Sequence, residues 1–133
     1  MKTLISGSRD IPDLHSFMEQ VIRRLKENGD GLIVGDNAHG VDQLAIYYAY
    51  RYDLPTEVFG CSKKPRAKLY TNQEYMFNVR MTYTERDRFM VSAADRGIFI
   101  WNGQSKGTKA AYDHMLSLHK PVFLYSIPYN RWR

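Results

Sequence analysis

The chain alternates between short apolar runs and segments with helical spacing, and this alternation constrains its fold more than any other feature. The apolar runs are Thr3–Gly7, Leu32–Gly35, Glu57–Gly60, Ile98–Trp101 and Val122–Ser126. Nearly continuous apolar runs of this length are typical of parallel strands that are covered on both faces. The pattern therefore predicts an α/β fold, a three-layer Rossmann-like domain with a five-stranded parallel sheet in the order 3-2-1-4-5.

The segments between the runs show the spacing of amphipathic helices. The first has a single apolar stripe at Leu14, Phe17, Met18, Val21, Ile22 and Leu25. Further helices are predicted at 41–52, 86–95 and 108–119. Residues 62–84 have no regular period, so we expect an irregular insert or lid there. The chain is expected to form a single domain that spans 1–133, with a short tail at 128–133.

Composition and charge narrow the class of protein. The 133 residues carry a net charge of +5, which favours an anionic partner without separating a nucleotide from a nucleic acid. Cys61 is the only cysteine, and the four histidines are not spaced as ligands, so neither a disulfide, a metal site nor a cofactor is expected. No apolar run reaches membrane-spanning length and no signal peptide is visible, so a cytoplasmic protein is predicted.

Three of the strand-to-helix turns combine glycines with polar side chains. They are Gly7 to Asp10, Gly35 to Asp42, and Asn102 to Thr108. Such turns meet at one edge of a parallel sheet, so they predict a site for a small anion, in particular a nucleotide. The predicted ligand-binding residues are Gly7, Ser8, Arg9, Gly35, Asp36, Gly40, Asp42, Arg86, Asn102, Gly103, Ser105, Gly107 and Thr108.

The last of these turns, Gly103–Thr108, opens a helix. Unpaired amides at a helix N-terminus and the positive end of its dipole suit a phosphate. Alternatively, its glycines and hydroxyls serve only a tight turn and an N-cap. The convergence of several such residues within a few positions favours the anion site.

The middle turn has the glycine spacing of a P-loop but lacks its chemistry. Val41 and Asp42 replace the lysine and the hydroxyl residue that bind phosphate and magnesium there, so an ATPase of that type is excluded. Asp36 is expected to bond ribose hydroxyls. Asp42 has two equal interpretations, as a ligand contact or as a helix cap.

Two other groups of basic residues admit more than one interpretation. Arg9 would pair with a phosphate, or form a weak surface ion pair. The segment Lys63–Tyr83 mixes basic and aromatic residues. It would stack nucleic-acid bases, close over a nucleotide as a lid, or be a solvated loop whose rings pack on the core.

Taken in order, these motifs resemble those of the SLOG superfamily, in particular its YspA-like branch. The resembling residues are Gly7-Ser8-Arg9-Asp10, Gly35-Asp36, Gly40-Val41-Asp42, Arg86, Met90, Ala94-Asp95 and Ser105-Lys106-Gly107-Thr108. The superfamily includes the DNA-processing protein DprA and the LOG cytokinin-activating enzymes. The resemblance implies a Rossmann-like sheet with a nucleotide-type ligand at the Ser105–Thr108 turn, and a possible homodimer for which Tyr47 or Tyr50 could serve.

LOG enzymes hydrolyse the N-glycosidic bond of nucleoside 5′-monophosphates with an arginine and a glutamate. Arg86 is similar to that arginine, whereas Ala111 occupies the glutamate position and Asp87 that of an expected lysine. Arg86 and Asp36 are therefore the catalytic candidates if the chain is an enzyme. That mechanism requires a carboxylate near the reacting sugar.

Three hypotheses follow from the sequence. The first is binding of a nucleoside monophosphate, an ADP-ribose-like compound or a cyclic-nucleotide signal by a sensor, carrier or sponge. The second is an N-glycosidase or phosphoribohydrolase acting on nucleoside monophosphates or NAD-like compounds. The third is single-stranded nucleic-acid binding, similar to that of DprA, with Lys63, Lys64 and Arg66 as contacts.

Overall fold

The computed structural model describes residues 1–127 and shows strands and helices in alternation. The strands are β1 (Lys2–Gly7), β2 (Gly31–Gly35), β3 (Thr56–Gly60), β4 (Gln73–Phe77), β5 (Arg96–Trp101) and β6 (Val122–Ser126). The helices are α1 (His15–Glu27), α2 (Val41–Arg51), α3 (Tyr83–Ala93) and α4 (Lys106–Ser117). The predicted α/β class is confirmed, and the predicted tail at 128–133 lies outside the described residues.

The sheet has six parallel strands in the order β4-β3-β2-β1-β5-β6, so the prediction of five was wrong by one edge strand. β4 lies within the segment expected to be irregular. Its residues pair with β3 in the register Val58↔Tyr75 and Gly60↔Phe77. Because it is an edge strand and only half buried, it needs no continuous apolar run, and its sequence QEYMF gave no strand signal. The predicted order of the other five strands is confirmed.

Helix α3 begins at Tyr83, three residues before its predicted start. Thr82 is its N-cap: the Thr82 hydroxyl accepts a hydrogen bond from the Glu85 amide (3.1 Å), and the Glu85 carboxylate accepts one from the Thr82 amide (2.9 Å). This reciprocal pair satisfies two amides that the helix would otherwise leave unpaired. It places Arg86 in the first turn of α3, at the carboxyl edge of the sheet.

The hydrophobic core has two layers, one on each face of the sheet. Met18 and Ile22 of α1 pack with Ala45 of α2 on one face, whereas Met90 of α3 and Met115 of α4 pack on the other. None of the helices in residues 1–127 has the length and hydropathy needed to cross a membrane.

The two tyrosines named as possible dimer contacts differ in exposure. Tyr47 packs against the first core layer, whereas Tyr50 is 45% exposed. Of these two tyrosines, Tyr50 is therefore the more accessible to a partner, and the homodimer stays a prediction.

Candidate functional site

A cleft of about 460 Å³ opens at the carboxyl ends of β1 and β5, between the first turns of α2, α3 and α4. We call it the amide cleft. Nine of the predicted site residues line it: Gly7, Ser8, Arg9, Asp42, Arg86, Asn102, Ser105, Gly107 and Thr108. Four do not: Gly35, Asp36, Gly40 and Gly103. The turns of the first and fifth strands therefore meet as the topology requires.

The N-terminus of α4 forms one wall of the amide cleft. Ser105 caps this helix, since its hydroxyl accepts a hydrogen bond from the Thr108 amide (3.3 Å) and lies 2.9 Å from the Thr108 hydroxyl. Among residues 1–127, the amides of Lys106 and Gly107 have no hydrogen-bond partner. A Cβ added at Gly107 would meet open space. This helix end thus presents two unpaired donors and its positive dipole to the cleft.

The turn before α4 is held by its own side chains. The Asn102 side-chain oxygen accepts hydrogen bonds from the amides of Gln104 (2.8 Å) and Ser105 (3.1 Å). The Asn102 side-chain nitrogen donates to the carbonyl of Asp10 (2.9 Å), which ties this turn to the one after β1. The Trp101 indole N–H donates to the Ser105 carbonyl (2.8 Å). Asn102 and Trp101 therefore shape the cleft by fixing its turns.

Gly40 allows the turn after β2 to approach the turn after β1. It has φ +76°, and a Cβ there would lie 2.5 Å from the Cα of Arg9. The neighbouring Val41 amide donates to the Ser8 carbonyl (3.2 Å). Gly40 is thus needed for backbone geometry and close packing rather than as a wall of the amide cleft.

Asp36 does not face the cleft, although it follows β2 directly. Its carboxylate is fully buried and accepts hydrogen bonds from Arg66 through the amide (3.0 Å), Nε (3.2 Å) and Nη2 (2.9 Å), and from Arg86 Nη1 (3.0 Å). The sequence prediction placed Asp36 on a ribose and Arg66 on a nucleic acid. In the structure the two residues bind each other.

Arg86 lies on the cleft wall with its guanidinium held by carboxylates. Its Nη2 and Nε donate to Asp87 at 2.8 and 3.2 Å, besides the bond from Nη1 to Asp36. Burial acts to lower the pKa of Arg86, but the negative charges of Asp87, Asp42 and Asp36 outweigh it and the pKa is raised. Both guanidinium groups lie over the Tyr83 ring, with Arg66 Cζ 4.1 Å and Arg86 Cζ 5.1 Å from the ring centre, which is a favourable cation–π arrangement. Arg86 therefore organises the acidic side of the cleft.

Three aspartates line the cleft: Asp10 in the turn after β1, Asp42 in the first turn of α2, and Asp87 in α3. Burial raises the pKa of Asp42 to about 6, while the nearby Arg86 and the hydrogen bond from the Asn37 amide (3.2 Å) oppose the rise. Burial also raises the pKa of Asp87, again against the effect of Arg86. Gly35 makes room for this arrangement, because a Cβ there would lie 2.7 Å from Asp42 Oδ2. The sequence prediction omitted Asp87, although its position directly after Arg86 was a usable signal.

The position that a glutamate would occupy in a LOG enzyme is part of the core. Ala111 is 6% exposed and packs with α3 and β5 in the second core layer. With Asp36 enclosed by two arginines, neither position presents a carboxylate to the cleft. Within residues 1–127, no group of three His, Cys, Asp or Glu side chains is placed to hold a metal ion.

Comparison with known proteins gives the fold. No family model and no curated protein matches the sequence. The molybdenum cofactor binding protein of the phototrophic bacterium Rippkaea orientalis superposes with a TM-score of 0.73 at 18% identity, over 95% of this chain and 76% of that one. The molybdenum cofactor carrier protein of Chlamydomonas reinhardtii superposes with a TM-score of 0.75 at 16% identity, over 96% of this chain and 78% of that one.

A third solved structure comes from a different class of protein. DNA processing protein A of Helicobacter pylori, described for its single-stranded DNA binding mode, gives a TM-score of 0.69 at 19% identity, over 93% of this chain and 64% of that one. These solved structures share the fold of this chain. At these identities the likeness establishes the α/β fold alone, and membership of the SLOG superfamily and of its YspA-like branch stays a prediction.

Proposed function

We propose that this protein binds a nucleotide or a nucleotide-derived ligand by its phosphate in the amide cleft, as a sensor, carrier or sponge. One observation supports the proposal above the others. The unpaired amides of Lys106 and Gly107 lie at a helix N-terminus, beside the hydroxyl of Thr108 and open space. Backbone donors aligned with a helix dipole are a common means of binding phosphate.

The other walls of the cleft suggest how the rest of the ligand is held. Arg9 is exposed at the rim and provides a second positive charge for phosphate oxygens. Asp42 and Asp87 also line the cleft, and the buried Arg86, which donates to Asp87, partly offsets their negative charge.

The structural neighbours are compatible with a small ligand. Two of them are described as binding or carrying the molybdenum cofactor. A ligand panel should therefore include that cofactor beside AMP, ADP, ADP-ribose and cyclic AMP.

The decisive variant is Ser105→Asp, measured by isothermal titration calorimetry with the panel. Aspartate is as good an N-cap as serine, so the helix should stay intact. The added carboxylate would repel a phosphate at the unpaired amides, so we expect at least a tenfold loss of affinity. Gln20→Glu adds the same charge in the middle of α1 and should leave affinity unchanged. Equal binding by wild type and Ser105→Asp, or no binding of any panel member, would contradict the proposal.

Single-stranded nucleic-acid binding is a second candidate, supported by the likeness to DNA processing protein A and by the exposed Lys63 and Lys64. Arg66 is held by Asp36 and is not part of this candidate surface. Replacing both lysines by alanine should weaken binding of a thymidine oligonucleotide and reduce the slope of log affinity against log salt concentration by about 1.4. A salt-independent affinity, or one unchanged in the double variant, would remove this candidate.

A further inference from the structure

A second cavity, of about 930 Å³, adjoins the amide cleft at the same edge of the sheet. We call it the tyrosine groove. Its walls include Ile11, Leu14, Leu44, Tyr47, Lys68 and Tyr70. Arg9 lines both cavities, so their border is an exposed cation.

The far wall of the tyrosine groove is held in place by contacts with α2. The Gln43 side chain donates to the Lys68 carbonyl (2.9 Å) and accepts from the Lys68 amide (2.8 Å). The Tyr70 ring stacks on Tyr50 at 4.6 Å and meets the edge of Tyr47 at 6.0 Å. The groove is therefore pre-organised, which reduces the entropic cost of filling it.

The amide cleft alone offers little surface for an aromatic base. Its walls are mainly glycines, hydroxyls and charged groups, with Met90 as the one large apolar side chain among them. A small apolar pocket of about 170 Å³ lies past Arg86, but the guanidinium at that border is buried and bonded to Asp36 and Asp87. The tyrosine groove is larger, and its border with the cleft is the exposed Arg9.

Charge in the groove favours a ligand that carries negative charge. Arg9 and Lys68 are cations, and Lys68 Nζ lies 5.1 Å from the Tyr70 ring centre. The carboxylate of Asp13, also on the wall, already accepts a hydrogen bond from the His15 amide (3.0 Å). The apolar side chains and tyrosine rings between them match a planar aromatic group.

We propose that the tyrosine groove holds the base of a nucleoside diphosphate whose terminal phosphate lies in the amide cleft and whose first phosphate lies on Arg9. This inference rests on the proposed function and names the ligand class for the same site. A monophosphate would reach only one of the two phosphate positions while its base is in the groove. We therefore expect ADP to bind at least tenfold more tightly than AMP.

The experiment titrates the wild-type protein and two variants with inorganic phosphate, AMP and ADP. Ala38→Trp fills the groove from its wall, where Ala38 is half-buried, and Ala38→Ser is the matched control. Ala38→Trp should reduce ADP affinity at least tenfold and leave phosphate affinity within twofold, whereas Ala38→Ser should resemble wild type. Lys68→Glu, at an exposed position outside the core, should also weaken ADP binding without changing phosphate binding.

The possible results separate this inference from the proposed function. If phosphate binds in a Ser105-dependent manner but ADP binds no more tightly than AMP, or Ala38→Trp leaves ADP affinity unchanged, the inference alone is overturned. An equal loss of phosphate and ADP affinity in Ala38→Trp also overturns it, because the groove would then have no separate role. If no probe binds, or Ser105→Asp has no effect, both proposals fail.

Discussion

Asp36 holds a residue of the cleft wall, Arg86, without itself facing the cleft. A buried carboxylate is costly unless it is paired, and Asp36 has hydrogen bonds from both Arg66 and Arg86. Asp36→Asn would leave Arg86 buried with less compensation, so we expect a loss of about 3–5 kcal/mol in the free energy of unfolding. Urea denaturation measures this loss.

The matched control is Asp113→Asn, because Asp113 pairs with Lys109 at the surface of α4 (2.7 Å). An exposed i,i+4 pair contributes at most about 0.5 kcal/mol. Similar small changes in both variants would show that the Asp36 pairs contribute little.

Asp42 should make stability depend on pH. Its carboxyl titrates at about 6 in the folded protein against 3.8 for an unperturbed aspartate, so folding favours the protonated form. The contribution is therefore fully present below about pH 4 and is lost as the pH rises through 6. The rise in pKa from 3.8 to about 6 corresponds to roughly 3 kcal/mol.

Asp42→Asn removes this titration while keeping an acceptor for the Asn37 amide. The free energy of unfolding of the variant relative to wild type should rise between pH 4 and 6.5 and then level off. Denaturation series at several pH values give this difference. Parallel pH profiles for the two proteins would contradict the assignment.

At the scale of elements, α3 depends on its cap to present Arg86 and Asp87. Thr82→Ala removes the hydroxyl that accepts from the Glu85 amide, and should cost about 1 kcal/mol of stability. Thr82→Ser keeps the hydroxyl and should be close to wild type. Thermal and urea unfolding of the two variants test this, and equal stabilities would argue against a role for the cap.

The sequence predicted the elements that have local signals and missed those that depend on distant contacts. The apolar stripe of α1 and the apolar runs of β1, β2 and β5 could be predicted from the sequence, because side chains that are buried in the core must be apolar. β4 was missed because its pairing with β3, and not its own residues, makes it a strand. The Asp36–Arg66 pair was missed for the same reason, since thirty positions separate its partners. The turns of the amide cleft were found because parallel topology fixes where strand ends meet.

At the scale of the whole molecule, stability should decrease from the centre of the sheet to its edges. β1 lies between β2 and β5, and Leu4 and Ile5 are buried in opposite core layers. β4 and β6 are the edge strands of the described sheet and are only partly buried. Hydrogen exchange followed by mass spectrometry should therefore find β1 the slowest and β4 and β6 the fastest to exchange. Uniform protection across all six strands would contradict this order.

The hydrogen bond from the Trp101 indole to the Ser105 carbonyl makes Trp101 an intrinsic fluorescent probe of the amide cleft. Indole emission responds to polarity and to the hydrogen bond of its ring nitrogen, so a phosphate that shifts the Ser105 turn should change the colour and intensity of that emission. The substitution Trp132→Phe removes the second tryptophan, so that the tryptophan emission comes from Trp101 alone. Candidate metabolites could then be screened by fluorescence without any label.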